Sequence, residues 1–119
     1  MLFVVQEHWA SHHHFDFRLE MDGVLKSWAV PKEVPLETNV KRLAVEVEDH
    51  DISYAGFEGE IDEGYGAGKV KIWDNGNYEL IERGKSKIVF TLFGRKLKGT
   101  YALVRFSNEP KNWLLFRTR

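Results

Sequence analysis

Short stretches of alternating polar and apolar residues run along the whole chain and predict β-strands rather than helices. The alternation is clearest over residues 14–19 and 41–48, and it places successive side chains on opposite faces of a sheet. Further candidate strands cover residues 24–30, 69–73, 78–82, 87–92, 100–106 and 113–117. Asp74-Asn75-Gly76 is a strong hairpin signal between two of them. No segment, the short glycine-flanked stretch 55–60 included, has a sustained apolar stripe of helical period.

This pattern predicts the fold class. Many short strands, with turn signals about every 8 to 12 residues, are typical of a β-sandwich or a β-barrel. A chain of 119 residues has room for one domain with one core, so we expect residues 1–119 to form a single domain. We predict an all-β fold, a compact single-domain β-barrel of about eight strands with a polar active-site cavity.

Composition narrows the classes of function. Hydrophobic residues make up 43% and charged residues 29% of the chain, as in globular proteins. The chain has no cysteine, which excludes disulfides, thiolate zinc sites and cysteine nucleophiles and fits a cytoplasmic protein. No apolar run approaches the roughly 20 residues of a membrane span. The net charge of −1 argues against nonspecific coating of nucleic acid, but a compact site with a metal and a few arginines would still suit a nucleic-acid enzyme.

The most informative stretch is a strand predicted over residues 13–20. Its alternation puts His14, Asp16 and Arg18 on one face and an apolar set on the other. Neighbours on one face lie about 6.8 Å apart, so an imidazole and a carboxylate there can reach one metal ion. His8 would supply a third ligand and leave coordination positions open for water and substrate. The alternative is a solvated histidine patch in which His14 and Asp16 merely share a hydrogen bond.

A second strand has a comparable polar face. Arg42, Glu46, Glu48 and His50 alternate there with apolar residues, and two such strands would suit a barrel with a polar interior. A salt-bridged exterior is an equally good interpretation of the pattern. Trp28, Trp73 and Trp113 are predicted to be core residues, and Gly64, Gly66 and Gly68 a tight barrel turn rather than a phosphate loop.

Several motifs carry a resemblance to a known family. They are FVVQEH (3–8), HFDFRLE (14–20), GVLKSWAVPK (23–32), RLAVEVEDH (42–50), YAGFEG (54–59), YGAG (65–68), IWD (72–74), KLKG (96–99) and WLL (113–115). In this order they resemble the 3′-phosphoesterase domain associated with DNA ligase D of bacterial and archaeal non-homologous end joining. The resemblance covers essentially the whole chain and implies the β-barrel that the strand pattern predicts independently.

The resemblance also implies a function in DNA repair. Such an enzyme is a manganese-dependent hydrolase that removes 3′-terminal ribonucleosides (a 3′-ribonuclease, phosphodiesterase activity) and 3′-phosphates (3′-phosphatase activity) to leave a ligatable 3′-OH. By position, His8, His14 and Asp16 match the metal ligands, and Arg18, Arg42 and His50 match catalytic groups that contact phosphate. Lys32, Glu48 and Tyr54 match further substrate-binding positions. Mn²⁺ is the expected cofactor, and mixed nitrogen and oxygen ligands would also accept Co²⁺ or Zn²⁺.

The sequence departs from the family pattern beside the site. The loop 61–65 lacks a customary proline, Glu33 replaces a glycine, and His12 and His13 replace a basic and an apolar residue; these changes bear on substrate preference. We expect a monomeric, free-standing enzyme acting on DNA 3′ ends, with a separate DNA ligase, polymerase and Ku acting in trans. Two other functions remain open: a non-catalytic β-barrel that binds single-stranded nucleic acid, and a small metalloenzyme acting on a metabolite.

Overall fold

The computed structural model describes residues 1–62 and 67–119, and in these residues nine strands form one antiparallel sheet. The strands are β1 (Leu2–Trp9), β2 (His13–Met21), β3 (Val24–Val30), β4 (Lys41–His50), β5 (Gly59–Ile61), β6 (Gly68–Arg83), β7 (Lys87–Phe93), β8 (Lys98–Arg105) and β9 (Asn112–Arg117). The glycine-rich turn predicted over 64–68 and the loop 61–65 include residues 63–66, which lie outside the described residues.

The sheet closes on itself into a barrel. Its strand order is β1-β2-β3-β4-β9-β8-β7-β6, and β6 then pairs with β1, while the short β5 pairs with the beginning of β6. Closure leaves eight strands around the barrel and removes the exposed edges of an open sheet. The all-β barrel predicted from the strand pattern is therefore confirmed.

The barrel interior is filled with apolar side chains. Phe17, Phe90, Tyr101 and Leu115 are fully buried there, and Trp28 and Trp113 meet edge to face with their ring centroids 6.0 Å apart. The polar face of the second strand had suggested a polar barrel interior. The interior is apolar instead, because side chains of this size fill an eight-stranded barrel completely. The polar cavity lies on the outer face of the sheet instead.

The course of β6 contradicts the hairpin predicted at residues 74–76. Asp74-Asn75-Gly76 was expected to form a hairpin turn, but β6 runs through it without interruption from Gly68 to Arg83. Asp74 turns its buried carboxylate to the β7–β8 connection and accepts hydrogen bonds from the backbone amides of Arg95, Lys96 and Leu97 at 2.9, 3.1 and 2.8 Å. Gly76 is required because a Cβ there would overlap the carbonyl oxygen of Phe93. Asp74 and Gly76 therefore stabilise the neighbouring β7–β8 turn instead of forming a turn themselves.

A short 3₁₀ helix follows β4. It spans Ile52–Gly56, and the Asp51 side chain caps it by accepting a hydrogen bond from the Ser53 amide at 3.0 Å. It contacts β3 on the outside of the barrel and covers the face that bears the candidate site. In residues 1–62 and 67–119 no helix has the length and apolar character needed to cross a membrane.

Replacing Asp74 by alanine should destabilise the barrel strongly. Three backbone amides of the β7–β8 turn lose their acceptor, and an unsatisfied buried donor costs about 1–3 kcal/mol. We expect the free energy of unfolding, measured by urea denaturation, to fall by about 3 kcal/mol. Asn75→Ala, at the exposed neighbouring position, should change it by less than about 0.5 kcal/mol. Equal effects of the two substitutions would contradict this role for Asp74.

Candidate active site

The candidate site is a polar cluster on the outer face of β1, β2 and β3. Register brings its members together: His8 lies opposite His14, Gln6 opposite Asp16, and Arg18 opposite Ser27. All of these except His14 are nearly fully buried. The segment after β4 covers them, since Gln6 Nε2 donates to the carbonyl oxygens of Tyr54 and Phe57 at 2.9 and 3.2 Å.

His8, His14 and Asp16 form a compact group of metal-ligand side chains. One ligand atom from each lies within 4.8 Å of the others. His8 Nδ1 is 3.6 Å from Asp16 Oδ2, and His14 Nε2 is 3.3 Å from Asp16 Oδ1. Two imidazole nitrogens and one carboxylate oxygen suit a first-row divalent ion such as Mn²⁺, Co²⁺ or Zn²⁺ and leave positions open for other ligands. The residues present therefore fit a metal, although they do not choose among these ions.

A hydrogen bond fixes how His14 would act as a ligand. Its Nδ1 lies 2.8 Å from the carbonyl oxygen of His12, and a carbonyl can only accept, so the Nδ1 proton is donated there. This leaves Nε2 as the nitrogen that faces Asp16 and can bind a metal. Orientation of a ligating imidazole by a backbone carbonyl is common in metal sites.

Burial and charge set the protonation states of this group. The hydrogen bond with Asp16 raises the pKa of His14 above its usual 6.5, although burial opposes the shift. Burial by itself would raise the pKa of Asp16, but the hydrogen bond from His14 and the positive charge of Arg18 outweigh it and hold this pKa below 3.8. Asp16 is therefore ionised at neutral pH, and a metal ion must compete with a proton at His14.

Arg18 is held rigidly beside the metal-ligand group. Its Nε donates to Gln6 Oε1 and its Nη1 to Ser27 Oγ, both at 2.7 Å, and Nη2 lies 3.5 Å from Asp16 Oδ2. Burial lowers the pKa of Arg18, yet a guanidinium stays charged at neutral pH. Gln6 and Ser27 were missed by the sequence analysis. Of these two residues, only Gln6 could have been predicted from the sequence, because it precedes His8 by two residues and so lies on the same face of the strand.

A β-bulge brings His50 to the same cavity. Val47 pairs with Ser27, but His50 pairs with Leu25, so the register of β4 on β3 shifts between these pairs. Strict alternation had put His50 on the face of Arg42; the shift moves it to the outer face, over Arg18. His50 Nδ1 lies 3.0 Å from Arg18 Nη1 and 3.1 Å from the carbonyl oxygen of Glu48.

These residues line a cavity of about 580 Å³ on the outside of the barrel. The predicted site residues that border it are His8, His14, Asp16, Arg18, Glu48, His50 and Tyr54. Lys111, which the sequence analysis did not consider, and Glu46 border it as well. The Tyr54 ring lies 5.0 Å from the Arg18 guanidinium and 4.8 Å from the His50 ring, measured to ring centroids.

Two predicted site residues do not border the cavity. Arg42 pairs in register with the core residue Leu115, and its Nε donates to the carbonyl oxygen of Glu33 at 3.0 Å. Lys32 is exposed in the connection between β3 and β4. Contacts of these two side chains with phosphate stay predictions of the family resemblance.

Comparison with known proteins identifies the family of the chain. The family model described as the DNA Ligase D 3′-phosphoesterase domain matches residues 6–105, which include the metal-ligand group, Arg18 and His50. The chain belongs to the DNA ligase D 3′-phosphoesterase domain family. A member of this family is expected to be a phosphoesterase.

Relatives support the same assignment. The multifunctional non-homologous end joining proteins LigD of Mycobacterium bovis and Pseudomonas aeruginosa are each 48% identical to this chain, over 122 and 127 residues. That of Mycolicibacterium smegmatis is 46% identical over 129 residues. Each alignment covers 98% of this chain but only 16%, 15% and 17% of the respective relative, so the chain spans about a sixth of their length.

Removing one ligand should abolish tight metal binding. We expect His14→Ala to weaken Mn²⁺ binding by well over tenfold, because even residues that only orient a ligand contribute about 10- to 100-fold. Calorimetric titration of the purified protein measures this affinity. His12→Ala is the matched control, since it removes a nearby imidazole but keeps the carbonyl that orients His14.

The same titration has an expected pH dependence. Neutral His14 is the ligand, so affinity should fall as pH drops through its pKa, and the fall should begin above pH 6.5 because that pKa is raised. Asp16 does not contribute in this range because its pKa is lowered. An affinity independent of pH between 8 and 6 (about the range in which histidine titrates), or His12→Ala binding as weakly as His14→Ala, would contradict the assignment.

Proposed function

We propose that this protein is a metal-dependent phosphoesterase that heals DNA 3′ ends, by removing 3′-terminal ribonucleosides and 3′-phosphates to leave a ligatable 3′-OH. The observation that carries the proposal is that His8, His14 and Asp16 converge within 4.8 Å in the cavity that also holds Arg18 and His50. Membership of the 3′-phosphoesterase family and the end-joining relatives supply the substrate class.

The charges around the cavity support metal dependence. Among the described residues, Asp16 and Glu48 contribute two carboxylates, and Arg18 and Lys111 contribute two cationic groups, whereas the Glu46 carboxylate is paired with Trp113 Nε1 and Arg105. With neutral histidines these charges balance, so the lining has little net attraction for a phosphate. A divalent ion on His8, His14 and Asp16 would make the site positive and would supply Lewis-acid polarisation of a phosphoryl oxygen. Mn²⁺ is the ion proposed, with Co²⁺ or Zn²⁺ as substitutes.

Arg18 is proposed to bind the phosphoryl group. Its Nε and Nη1 are occupied by Gln6 and Ser27, so Nη2, which lies 3.5 Å from Asp16 Oδ2 at the cavity, is the nitrogen left for a phosphoryl oxygen. A donor that is already oriented stabilises the charge of the transition state without reorganisation. Phosphoryl transfer depends mostly on such positioning and charge stabilisation.

His50 is proposed to present a proton to a phosphate or leaving-group oxygen. When neutral, its Nδ1 can accept from Arg18; when protonated, its Nδ1 can donate to the Glu48 carbonyl. In either state the proton on the other ring nitrogen, Nε2, is available. The two contacts therefore keep a hydrogen-bond donor at Nε2 whether His50 clamps the phosphate or acts as a general acid.

The other predicted residues belong to substrate binding in this proposal. Tyr54 and Glu48 border the cavity and would contact the nucleotide around the phosphate. Lys32 and Arg42 would contact substrate outside the cavity, on the side of the β3–β4 connection. The chain is proposed to act as a monomer in the cytoplasm on primer-template 3′ ends, before ligation, with a DNA ligase, a polymerase and Ku as partners.

A primer-template assay tests the activity. A strand ending in a 3′-phosphate or a 3′-ribonucleotide should be converted to a 3′-OH end with Mn²⁺, and chelation by EDTA should abolish turnover. We expect His14→Ala to be inactive, because the metal-ligand group is broken, and His12→Ala to retain activity.

The same assay separates the competing functions. DNA binding that is unchanged by EDTA and gives no product would favour a single-strand-binding barrel. Rapid turnover of a generic aryl phosphate, with none on the primer ends, would favour a metabolite enzyme. An active His14→Ala protein would contradict the metal assignment itself.

Arg18→Lys tests the proposed phosphate-binding group. Lysine keeps a positive charge but lacks the planar fork held by Gln6 and Ser27, so kcat should fall about 100-fold. Arg83→Lys is the control, because Arg83 forms an exposed ion pair with Asp22 and does not border the cavity as the described residues define it. Thermal melts establish that both variants are folded. Wild-type kcat in a folded Arg18→Lys protein would exclude this role.

A further inference from the structure

The hairpin that joins β1 to β2 carries an aromatic pair directly beside the metal-ligand group. Trp9 lies opposite His13 in the register pair next to His8 and His14. Because side chains alternate along a strand, this pair projects from the other face of the hairpin. The indole and imidazole rings stack with centroids 5.5 Å apart and planes inclined by 12°.

Neighbouring groups hold this pair in place. His13 Nε2 lies 2.8 Å from Glu7 Oε2, and the His13 ring packs against Phe15 with centroids 5.3 Å apart. The backbone of Trp9 is fixed from the other side by β6, where Gly68 has φ +138° and a Cβ would overlap the Trp9 carbonyl oxygen. Loss of side-chain freedom on binding a ligand would therefore be small.

The pair is nonetheless accessible. Trp9 is 39% exposed, whereas Trp28 and Trp113 are 2% and 3% exposed and Trp73 is partly buried. Lys69 pairs with Trp9 on the β6 side, and its exposed side chain holds Nζ over the indole ring, 5.9 Å from the centroid, so a base would stack there by displacing this cation. A flat aromatic surface with an adjacent cation is the combination that binds unpaired nucleic-acid bases.

We propose that Trp9, supported by His13 and Lys69, forms a platform on which a nucleobase of the DNA substrate stacks, at a nucleotide neighbouring the reacting 3′ end. The inference rests on the proposed function, which places that end in the cavity at His8 and His14, the adjacent residues of the hairpin. Glu7 beside the pair disfavours a phosphate at this position and favours an uncharged base, while Lys69 can contact the backbone.

Binding of product DNA tests the platform without turnover. A fluorescently labelled primer-template with a 3′-OH and a short single-stranded segment is titrated in the presence of Mn²⁺, and anisotropy gives the Kd. Trp9→Ala should weaken binding about tenfold, as expected for loss of one base stack. Trp9→Phe should recover most of the affinity. Phe93→Ala, at an exposed phenylalanine of β7, should bind like the unaltered protein.

A second arm varies the DNA. DNA with a single abasic nucleotide, moved stepwise from the 3′ end, should lose about tenfold in affinity at one position. At that position Trp9→Ala should cause no further loss. Affinity of Trp9→Ala equal to that of the unaltered protein, or an equal loss on intact and abasic DNA, would overturn the proposal. Because binding is measured on product, a Trp9-dependent affinity without 3′-phosphate hydrolysis would refute the proposed function and leave the platform standing.

Discussion

The buried guanidinium of Arg18 is the interaction on which the site depends. It lies outside an apolar barrel, and a charge at 3% exposure is tolerated only with polar partners. Gln6, Ser27 and His50 supply them, and each comes from a different strand. Gln6 in turn holds the segment of Tyr54 and Phe57 over the site. Removing the Arg18 guanidinium would therefore also loosen the segment that covers the cavity, because Gln6 would lose the group that orients it.

The filled interior explains why this cluster lies outside. Phe17 and Phe90 pack within the barrel with ring centroids 5.7 Å apart, and no polar cluster could be inserted among such rings without leaving voids. The opposite face of the same strand is free for chemistry, because period two separates Phe17 from Asp16 and Arg18. One strand thus contributes to the core and to the site at once.

The sequence predicts the part of the site that depends on local alternation. His14, Asp16 and Arg18 share a face in any extended strand, and the structure has them so. The place of His8 in the site depends on the β1–β2 register, and that of His50 depends on a bulge in β4. Neither feature can be predicted from the residues of one strand. The hairpin expected at Asp74 is wrong for a related reason. Its turn-forming residues are used by tertiary contacts with the β7–β8 turn, which local propensity does not describe.

The same alternation places the metal-ligand pair and the aromatic pair on opposite faces of the β1–β2 hairpin. His8 and His14 face the cavity, and the next register pair, Trp9 with His13, faces away from it. A change in the hairpin therefore moves both pairs together, because the backbone between them is a continuous ladder. Gly68 fixes the end of this ladder against β6. The aromatic pair and the metal-ligand group are in this way held at a fixed spacing by one element, as the proposed platform requires.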